Sequence, residues 1–260
     1  MVNYQSIQVE RDGPVAIVSF NRPASLNAIE ASIRKELRTA IKAINDDDDI
    51  RVVILTGVGR AFCAGADLTE QHPVGSSVED GLNEQYKPLL MAITNAPKPW
   101  ISAVNGAAAG IGSAFAMACD LTLMADDAYL YQAFTAIGLI PDGGATWHLV
   151  RTVGRKKAYE LIAFGEKLKA SDCLQLGLCN RVVAADALMD ESMSMAHILA
   201  NKAPLALRYA KEAVNGAMND DLCATISNEA RLQEICANSD DAKEGGLAFL
   251  HKRKAVFRGR

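Results

Sequence analysis

The chain has 260 residues, of which 50% are hydrophobic and 22% are charged, so it is long and apolar enough to bury a large core. Its formal net charge of −4 provides no broad basic surface, and we therefore expect no nucleic-acid partner. No apolar run approaches the roughly 20 residues that cross a bilayer, and the first residues lack the apolar stretch of a signal peptide, so we expect a cytoplasmic protein without a membrane partner.

The first half of the chain alternates apolar strands with amphipathic helices. Strands are predicted within 7–20, on both sides of a turn at 12–14, and over 50–57, 99–106, 121–125 and 128–132. Helices are predicted over 29–44, 82–93 (kinked or begun near Pro88) and 110–119, and the aperiodic segment 69–80 is predicted to be a mobile loop. This alternation predicts right-handed crossovers and a mostly parallel sheet.

The pattern changes after about residue 150, where helical periodicity dominates. The predicted helices cover 155–164, 171–176, 187–201, 204–217, 220–237 and 240–255, and RVV at 181–183 is predicted to be a strand. The sequence therefore predicts an α/β core followed by a helical region. We find no internal repeat and no low-complexity linker.

The cysteines and histidines give no sign of a metal site. The six cysteines form no CxxC pair and lie mostly in apolar contexts, as expected for reduced, buried thiols. The four histidines are too scattered to suggest a metal cluster, so we expect no metal. One basic cluster, HKRKAVFRGR at 251–260, is typical of a solvated helix end, although it could also contact a phosphate.

A glycine-rich segment, NGAAAGIG at 105–112, follows a predicted strand and opens a helix. This spacing resembles the dinucleotide-binding turn of short-chain dehydrogenases. However, about a hundred residues precede it, and no tyrosine is followed four residues later by the lysine that such enzymes use. Asp126 or Asp127 could imitate the acid that binds the ribose, so a dehydrogenase stays as an alternative.

Two turns rich in glycine and alanine follow apolar strands, RAFCAGADL at 60–68 and NGAAAGIGSAFAMACD at 105–120. The second turn also begins a helix, whose first N–H groups are unpaired and partly positive. Two such turns facing each other could present two backbone N–H donors to one oxygen, as in an oxyanion hole. The alternative is that small residues only allow close packing of a helix on a sheet.

Taken together, these motifs resemble the crotonase (enoyl-CoA hydratase/isomerase) superfamily along nearly the whole chain. The matching segments are NRPASLNAI (21–29), AFCAGADL (61–68), VNGAAAGIGSAFAMACD (104–120), IGLIPDGGATWHL (137–149) and AFLHKRKAVF (248–257). The resemblance implies an α/β spiral of ββα units over 1–195 and a C-terminal helical trimerisation region over 196–260. It also implies a homotrimer or a dimer of trimers and an acyl-CoA substrate, whose coenzyme A is part of the thioester, so no separate cofactor is expected.

Position-by-position matching implies roles for several residues. The backbone N–H groups of Ala66 and Ile111 would form the oxyanion hole. The residues expected along the coenzyme A moiety are Ser25, Leu26, Ala64, Gly65, Asp67 and Leu68. Phe249 and Lys252 match positions that contact coenzyme A, expected from a neighbouring subunit.

Departures from the hydratase pattern concern the acid residues. Hydratases of this family resemble one another in having two glutamates, where this chain has Ala114 and Phe134, and neither side chain can carry a proton. Asp142, in IPDGG, matches the aspartate of the isomerase members that use a single catalytic aspartate. A pocket of Phe134, Ile137, Ile140 and Trp147 is expected to raise its pKa by desolvation.

The sequence favours an enoyl-CoA isomerase in which Asp142 moves the proton, with four alternatives. One is a hydratase, and a second is thioester hydrolysis or dehalogenase-like chemistry with Asp142 as the nucleophile. A third is acyl-CoA binding without turnover, and a fourth is that Asp142 is an ordinary turn residue. Glu70, Glu79 or Asp80 could supply a second acid, although solvated loop charges are the plainer interpretation. Cys63 could line the pocket and Trp147 the wall for the acyl chain, with core packing as the alternative, whereas His72 is expected at the surface and His148 in a structural role.

Overall fold

The computed structural model describes residues 4–71, 75 and 77–260. In chain order its strands are β1 (Ile7–Asp12), β2 (Val15–Phe20), β3 (Val52–Gly57), β4 (Ala61–Cys63), β5 (Trp100–Val104), β6 (Ala107–Ala109), β7 (Leu121–Ala125), β8 (Tyr129–Tyr131), β9 (Lys167–Lys169) and β10 (Arg181–Val183). Its helices are α1 (Ala31–Asp46), α2 (Val78–Gly81), α3 (Lys87–Thr94), α4 (Ile111–Ala118), α5 (Ala145–Phe164), α6 (Ala170–Gln175), α7 (Leu188–Ala200), α8 (Pro204–Ala217), α9 (Leu222–Ala237) and α10 (Asp240–Leu250).

The larger sheet has the strand order β1-β2-β3-β5-β7-β10 and carries the core. The first two strands form the predicted antiparallel hairpin, and the others pair in parallel. Every residue of β3 is buried, as its unbroken apolar sequence predicts for a strand covered on both faces. Helix α1 packs its apolar stripe, which includes Ile33, Leu37 and Ile41, into the same core.

The smaller sheet has the order β4-β6-β8-β9. Its first three strands each follow directly after a strand of the larger sheet, namely β3, β5 and β7. Its strands are three residues long, and β4, β6 and β8 run in parallel. Small side chains dominate β4 (AFC) and β6 (AAA), so backbone approaches backbone closely. The turns that follow β4 and β6 are the two turns singled out in the sequence.

The prediction of a loop over 69–80 is wrong for its last three residues. Ser77 caps α2 by accepting a hydrogen bond from the Asp80 N–H, and the helix continues through a π-helical segment, Leu82–Tyr86, into α3. Pro88 lies in the first turn of α3. His72 lies outside the described residues.

Two other helix predictions need correction. Helix α5 begins at Ala145, ten residues before the predicted start, and it is broken at Gly154, whose φ of 76° is not helical. Helix α10 ends at Leu250 rather than at 255. Residues 195 and 196, between which the domain boundary is predicted, both lie in α7, which packs on the larger sheet.

The C-terminal helices are attached to the core by a buried lysine. Lys211 of α8 donates hydrogen bonds to the Ile93 carbonyl and to the Asp120 carboxylate, both at 2.8 Å. Among the described residues, no helix combines the length and the apolar character that a membrane span requires.

Candidate active site

The two glycine-containing turns touch each other. Strands β4 and β6 are parallel neighbours, so the turns leave the same edge of the smaller sheet. A Cβ atom placed on Gly65 would lie 3.0 Å from the Ala109 carbonyl oxygen and 3.7 Å from Gly110 Cα. At Gly112, in the first turn of α4, an added Cβ would lie 2.3 Å from the Cys63 carbonyl oxygen. These contacts explain why the two segments need glycine.

Each turn leaves one backbone N–H donor without an acceptor among the described residues at this junction. Within the described residues, the Ala66 N–H has no acceptor, although the N–H groups of Ala64 and Asp67 on either side of it are paired. Ile111 is the first residue of α4, so its N–H has no partner one turn earlier in the helix. The structure thus brings the Ala66 and Ile111 turns together, as an oxyanion hole requires.

The segment around Ser25 and Leu26 lies directly against the first turn. The Ala64 N–H donates to the Leu26 carbonyl at 2.9 Å, and the Ile29 N–H donates to the Gly65 carbonyl at 2.7 Å. Ser25 and Leu68 are exposed. The six residues predicted to lie along coenzyme A in this part of the chain therefore form one partly exposed surface next to Ala66.

The Asp67 carboxylate serves to hold this turn. It accepts hydrogen bonds from the Thr69 hydroxyl and N–H and from the Arg22 guanidinium, at 2.6 to 3.0 Å. These partners, the Thr69 hydroxyl first, lower the pKa of Asp67 to about 2. Arg22 also donates to the Ala28 carbonyl and pairs with Glu30, so it ties the 22–30 segment to the turn. Asp67 lies at the predicted surface, but its charge is already paired within the protein.

Asp142 lies at the other side of α4. It precedes Gly143 and Gly144, which adopt φ values of 60° and 83° and so form the turn that the sequence predicts. A Cβ on Gly143 would lie 2.9 Å from Ala114 Cβ and 2.9 Å from Ile111 Cγ1. The Asp142 segment therefore packs on the same helical turn that presents the Ile111 N–H.

The Asp142 carboxyl group is desolvated and incompletely hydrogen-bonded. Its Oδ1 atom is buried, and the described residues place no hydrogen-bond partner within reach of it. Burial raises the pKa of Asp142 to about 6, against the opposing effect of its own backbone N–H. An unpaired buried carboxyl oxygen is costly, and a raised pKa together with such a cost is typical of a catalytic position.

The residues that surround Asp142 differ from those expected. Ile137 and Ile140 are 53% and 81% exposed, so they do not close an apolar pocket around the carboxylate. Trp147 stacks beneath the Arg151 guanidinium at 4.3 Å and lies edge-on to His148. Helix α4 and the side chain of Leu90 pack on the adjacent Gly143 instead. These contacts were not visible in the sequence because they come from residues that lie 29 or more positions away in the chain.

Both positions that correspond to hydratase glutamates are buried and apolar. Ala114 is fully buried and faces Gly143, and Phe134 is 6% exposed, with Cζ 3.8 Å from the Cβ position of Gly110. They therefore line the junction between the two turns and Asp142. At this junction the apolar side chains restrict water, and of these three residues only Asp142 can carry a proton.

Glu70 is engaged in a buried ion pair. Its carboxylate accepts hydrogen bonds from both terminal nitrogens of Arg34, at 2.7 and 2.8 Å, and from the Ala31 N–H. Arg34 also donates to the Tyr86 hydroxyl and lies over that ring at 5.1 Å. Glu79 and Asp80 are exposed in the first turn of α2.

The sequence pattern did not predict the role of Arg34. The sequence held one signal, because this arginine directly follows Ile33 in the apolar stripe of α1. In the structure only 6% of the residue is exposed. A charge next to the buried face of a helix needs a partner, and Glu70 on the turn after Ala66 supplies it.

The remaining candidates have structural surroundings. Burial raises the pKa of the Cys63 thiol to about 12, and desolvation together with Arg151 lowers the pKa of His148 to about 4. Phe249 is 84% exposed at the end of α10, and Lys252 follows the helix with a φ of 53°. Helix α10 packs mainly on α9, so both residues belong to the C-terminal region.

Comparison with known proteins places this geometry in context. The model of the enoyl-CoA hydratase/isomerase family matches residues 10–260. A probable enoyl-CoA hydratase of Rhodobacter capsulatus is 39% identical, with both chains fully covered. The 1,2-epoxyphenylacetyl-CoA isomerase of Escherichia coli is 36% identical over 95% of each chain. The crystal structure of an enoyl-CoA hydratase from Bacillus anthracis is 33% identical, covers 98% of this chain and 100% of its own, and has a TM-score of 0.92. The predicted crotonase-like fold is confirmed.

Proposed function

The chain belongs to the enoyl-CoA hydratase/isomerase family, and we propose that it is an isomerase that shifts a C=C bond of an enoyl-CoA through a thioester enolate. In this proposal the Ala66 and Ile111 N–H groups bind the thioester oxygen. Asp142 removes a proton from one carbon and returns it to another. The enzyme family and the acyl-CoA substrate class follow from the family match, and isomerisation as the reaction is the proposal.

The proposed reaction needs one base and two donors. With a 3-enoyl-CoA, the Asp142 carboxylate takes a proton from C2, and the electron pair of that C–H bond forms a dienolate with its charge on the thioester oxygen. The two N–H groups stabilise this charge, each by about 3 kcal/mol in comparable sites. The protonated Asp142 then delivers the proton to C4, which leaves a 2-enoyl-CoA and restores the carboxylate.

One observation carries the proposal: the buried Asp142 Oδ1 has no hydrogen-bond partner among the described residues, whereas the two positions of the hydratase glutamates hold apolar residues. Hydration would need one group to activate water and another to protonate the α-carbon. Ala114 and Phe134 can do neither. A single carboxylate with a pKa of about 6 is suited both to accept and to return a proton at neutral pH.

Substrate binding in the proposal uses the surface beside Ala66. Ser25, Leu26, Ala64 and Leu68 would contact coenzyme A, while Asp67 would fix the turn through Arg22. Phe249 and Lys252 would reach coenzyme A from a neighbouring subunit of a trimer or a dimer of trimers. Lys252 is exposed and could approach a phosphate.

Hydration is the second candidate, because the Rhodobacter capsulatus and Rhizobium meliloti relatives are described as probable enoyl-CoA hydratases. It would make Asp142 the group that activates water. Thioester hydrolysis, a covalent acyl or alkyl intermediate on Asp142, and binding without turnover are further outcomes that an experiment can separate.

The test compares the wild type with Asp142→Asn on 3-enoyl-CoA and 2-enoyl-CoA of several chain lengths. We expect the wild type to form the conjugated 2-enoyl product, and Asp142→Asn to lose about 10³-fold in kcat because its proton carrier is gone. Binding of an acyl-CoA should stay within a few-fold. Asp172→Asn, an acid on α6, is the matched control and should retain full activity.

Other results would assign a different reaction. Robust hydration of 2-enoyl-CoA that survives Asp142→Asn would place the acid elsewhere. An adduct on Asp142 in mass spectra would indicate nucleophilic chemistry, and tight binding without any turnover would indicate a binding protein.

The pH dependence gives an independent check. Because Asp142 must be ionised to take the proton, kcat/KM should rise with pH through about 6 and level off above it. A rise centred near pH 4 would mean that the carboxylate is not desolvated when it reacts.

A further inference from the structure

A second cavity, of about 350 Å³, lies at the amino-terminal end of the larger sheet. It is lined by Arg51, directly before β3, and by Pro97–Pro99, directly before β5. The candidate active site lies beyond the opposite ends of these strands, where β3 leads to β4 and β5 leads to β6. The two regions are separated by the length of a strand, about 15 to 20 Å for five or six residues.

Positive charge dominates the lining of this cavity. One acidic side chain, that of Asp48, is present among the lining residues, and Asp46 and Asp47 act on the lining residue Lys98 as further negative charges. The cationic lining residues are Arg51, Lys98, Lys202, Arg208, Arg258 and Arg260. This concentration occurs in a chain whose net charge is −4, so it is not a reflection of overall composition. An anion bound in the cavity would be attracted by these charges.

Two of the six cations are already bonded. Lys98, only 7% exposed, donates to the carbonyl oxygens of Ile44 and Asp47 at 2.7 Å. The Arg51 guanidinium donates to the Phe257 carbonyl at 2.8 Å. These two residues fix the wall of the cavity and the path of the C-terminal segment.

The other four cations retain their donors. Within the described part of the chain, the side chains of Lys202, Arg208, Arg258 and Arg260 donate no hydrogen bond and form no direct ion pair. Arg208 lies over the Tyr209 ring at 5.5 Å, and Arg258 is one of the charges that lower the pKa of Glu244. Arginine guanidinium groups match the oxygens of phosphate in a bidentate geometry.

The C-terminal segment is held at the cavity by specific contacts. Asp241, only 3% exposed, accepts hydrogen bonds from the N–H groups of Arg258 at 2.6 Å and Gly259 at 2.8 Å. Its own N–H donates to the Arg260 carbonyl at 3.1 Å. A Cβ on Gly259 would lie 3.4 Å from Pro204 Cγ, so the segment packs on the start of α8. The two terminal arginines are thus placed by the fold.

We propose that this cavity binds a small polyphosphate anion, either free pyrophosphate or the diphosphate group of a nucleotide. The volume lies at the lower end of the range for small-molecule sites, which fits such a ligand. Several unpaired cations match a multiply charged anion better than a single carboxylate. The basic C-terminal cluster of the sequence, which the proposed isomerase reaction does not use apart from Lys252, gains a role here.

The apolar part of the lining allows free pyrophosphate and a nucleotide to be distinguished by their affinities. Leu199, Leu205 and Leu207 form this part, and a nucleoside could pack against them, whereas pyrophosphate would leave them uncovered. ADP that binds at least about tenfold more tightly than pyrophosphate, and that loses this affinity in R258A/R260A, identifies a nucleotide in this cavity and not on the coenzyme A surface, and equal affinities identify the free anion. Both results support a polyphosphate site.

The test is isothermal titration of the full chain with pyrophosphate and with ADP, in a phosphate-free buffer of low ionic strength. We expect saturable binding and a loss of about tenfold or more in affinity in R258A/R260A, because two of the unpaired guanidinium groups are removed. The matched control is Lys254→Ala, which removes an exposed charge of the same segment that does not line the cavity, and it should change affinity less than about twofold. The variant K202A/R208A, on the other wall, should repeat the loss.

Three results would overturn the proposal. The first is the absence of saturable binding of either anion to the wild type. The second is an equal loss in K254A and R258A/R260A, which would indicate attraction by general charge. The third is binding of phosphatidylserine vesicles without binding of pyrophosphate or ADP, which would indicate a membrane-surface patch. Isomerase activity is not a readout, so the proposal stands or falls separately from the proposed reaction.

Discussion

The two sheets differ in the size of their side chains and in what those side chains leave unpaired. The larger sheet is filled: Val53, Ile54 and Leu55 of β3 are fully buried, and the core around them consists of branched and aromatic residues. The smaller sheet is stripped: β6 is AAA, and glycines at its edge allow backbone atoms of neighbouring turns into contact. The first arrangement stabilises the fold by burying apolar area. The small side chains of the second sheet bring turns together whose Ala66 and Ile111 N–H groups have no acceptor among the described residues.

The difference teaches where a reactive site can form. In the interior of a filled sheet the backbone N–H groups are paired with neighbouring strands, and no donor is left for a substrate. Next to the smaller sheet, the Ala66 N–H has no acceptor among the described residues, and the first N–H of α4 has none one turn earlier in the helix. Asp142 Oδ1 likewise has no partner in the described part of the chain. Unpaired polar groups destabilise the fold, and the burial of apolar side chains in the larger sheet offsets this.

The largest expected effect comes from adding one methyl group to the stripped region. Gly112→Ala would place a Cβ 2.3 Å from the Cys63 carbonyl oxygen, so backbone must shift, and we expect a loss of about 3 kcal/mol in unfolding free energy. Removing one methyl from the filled sheet, in Ile54→Val, should cost about 1 kcal/mol. Denaturant unfolding at fixed protein concentration measures both.

Gly246→Ala controls for the loss of glycine itself. An added Cβ there meets nothing within 4 Å, and Gly246 lies inside α10, so alanine should be neutral or should stabilise by about 0.5 kcal/mol. If Gly112→Ala proved as well tolerated as Gly246→Ala, the contrast between the two sheets would be lost.

A smaller effect tests how the stripped turn is held in place. Glu70→Gln removes the charge opposite Arg34, whose side chain is only 7% exposed, and we expect a loss of about 2 kcal/mol because a buried cation loses its counter-ion. In Glu160→Gln the lost partner is Lys157 in an exposed pair, and the change should stay below about 0.5 kcal/mol. Equal changes would mean that solvent reaches the Arg34 pair.

The sequence predicted the larger sheet better than the smaller one. The strands of the larger sheet and the helix with Ile33, Leu37 and Ile41 were predicted correctly, because long apolar runs and a spacing of three and four carry a strong signal. Strands β4 and β6 were missed as strands, since a strand of three residues is too short to show a periodicity. Their turns could still be identified, because glycine and alanine clusters mark close backbone approach.

The raised pKa that was predicted for Asp142 agrees with the structure, but the predicted cause was wrong in part. Adjacent apolar residues such as Ile140 were expected to desolvate it, whereas Ile140 is exposed, and α4 and Leu90 pack on the neighbouring Gly143. Contacts between segments distant in the chain cannot be derived from local composition. For the same reason the Arg34–Glu70 pair, which joins residues 36 apart, was not predicted.

The smallest expected effect is a gain, and it concerns the unpaired carboxylate itself. The pKa of Asp142 is raised by folding from an ordinary value near 4 to about 6, so the folded chain binds a proton more tightly than the unfolded chain. Ionisation therefore costs stability as pH rises from 4 to 6, and the cost is constant above 6. A shift of two pKa units corresponds to about 3 kcal/mol, which solvent at a half-buried group reduces to about 1 kcal/mol.

Asp142→Asn removes that ionisation and should raise the unfolding midpoint at pH 7 by about 2 to 4 °C. At pH 4 and below, both side chains are neutral in the folded state, and the two proteins should unfold at nearly the same temperature. Thermal unfolding of both proteins between pH 3.5 and 8, at one protein concentration, measures the difference. A variant less stable than the wild type at pH 7 would show that the carboxylate stabilises the fold, and the stripped sheet would then carry no cost at this residue.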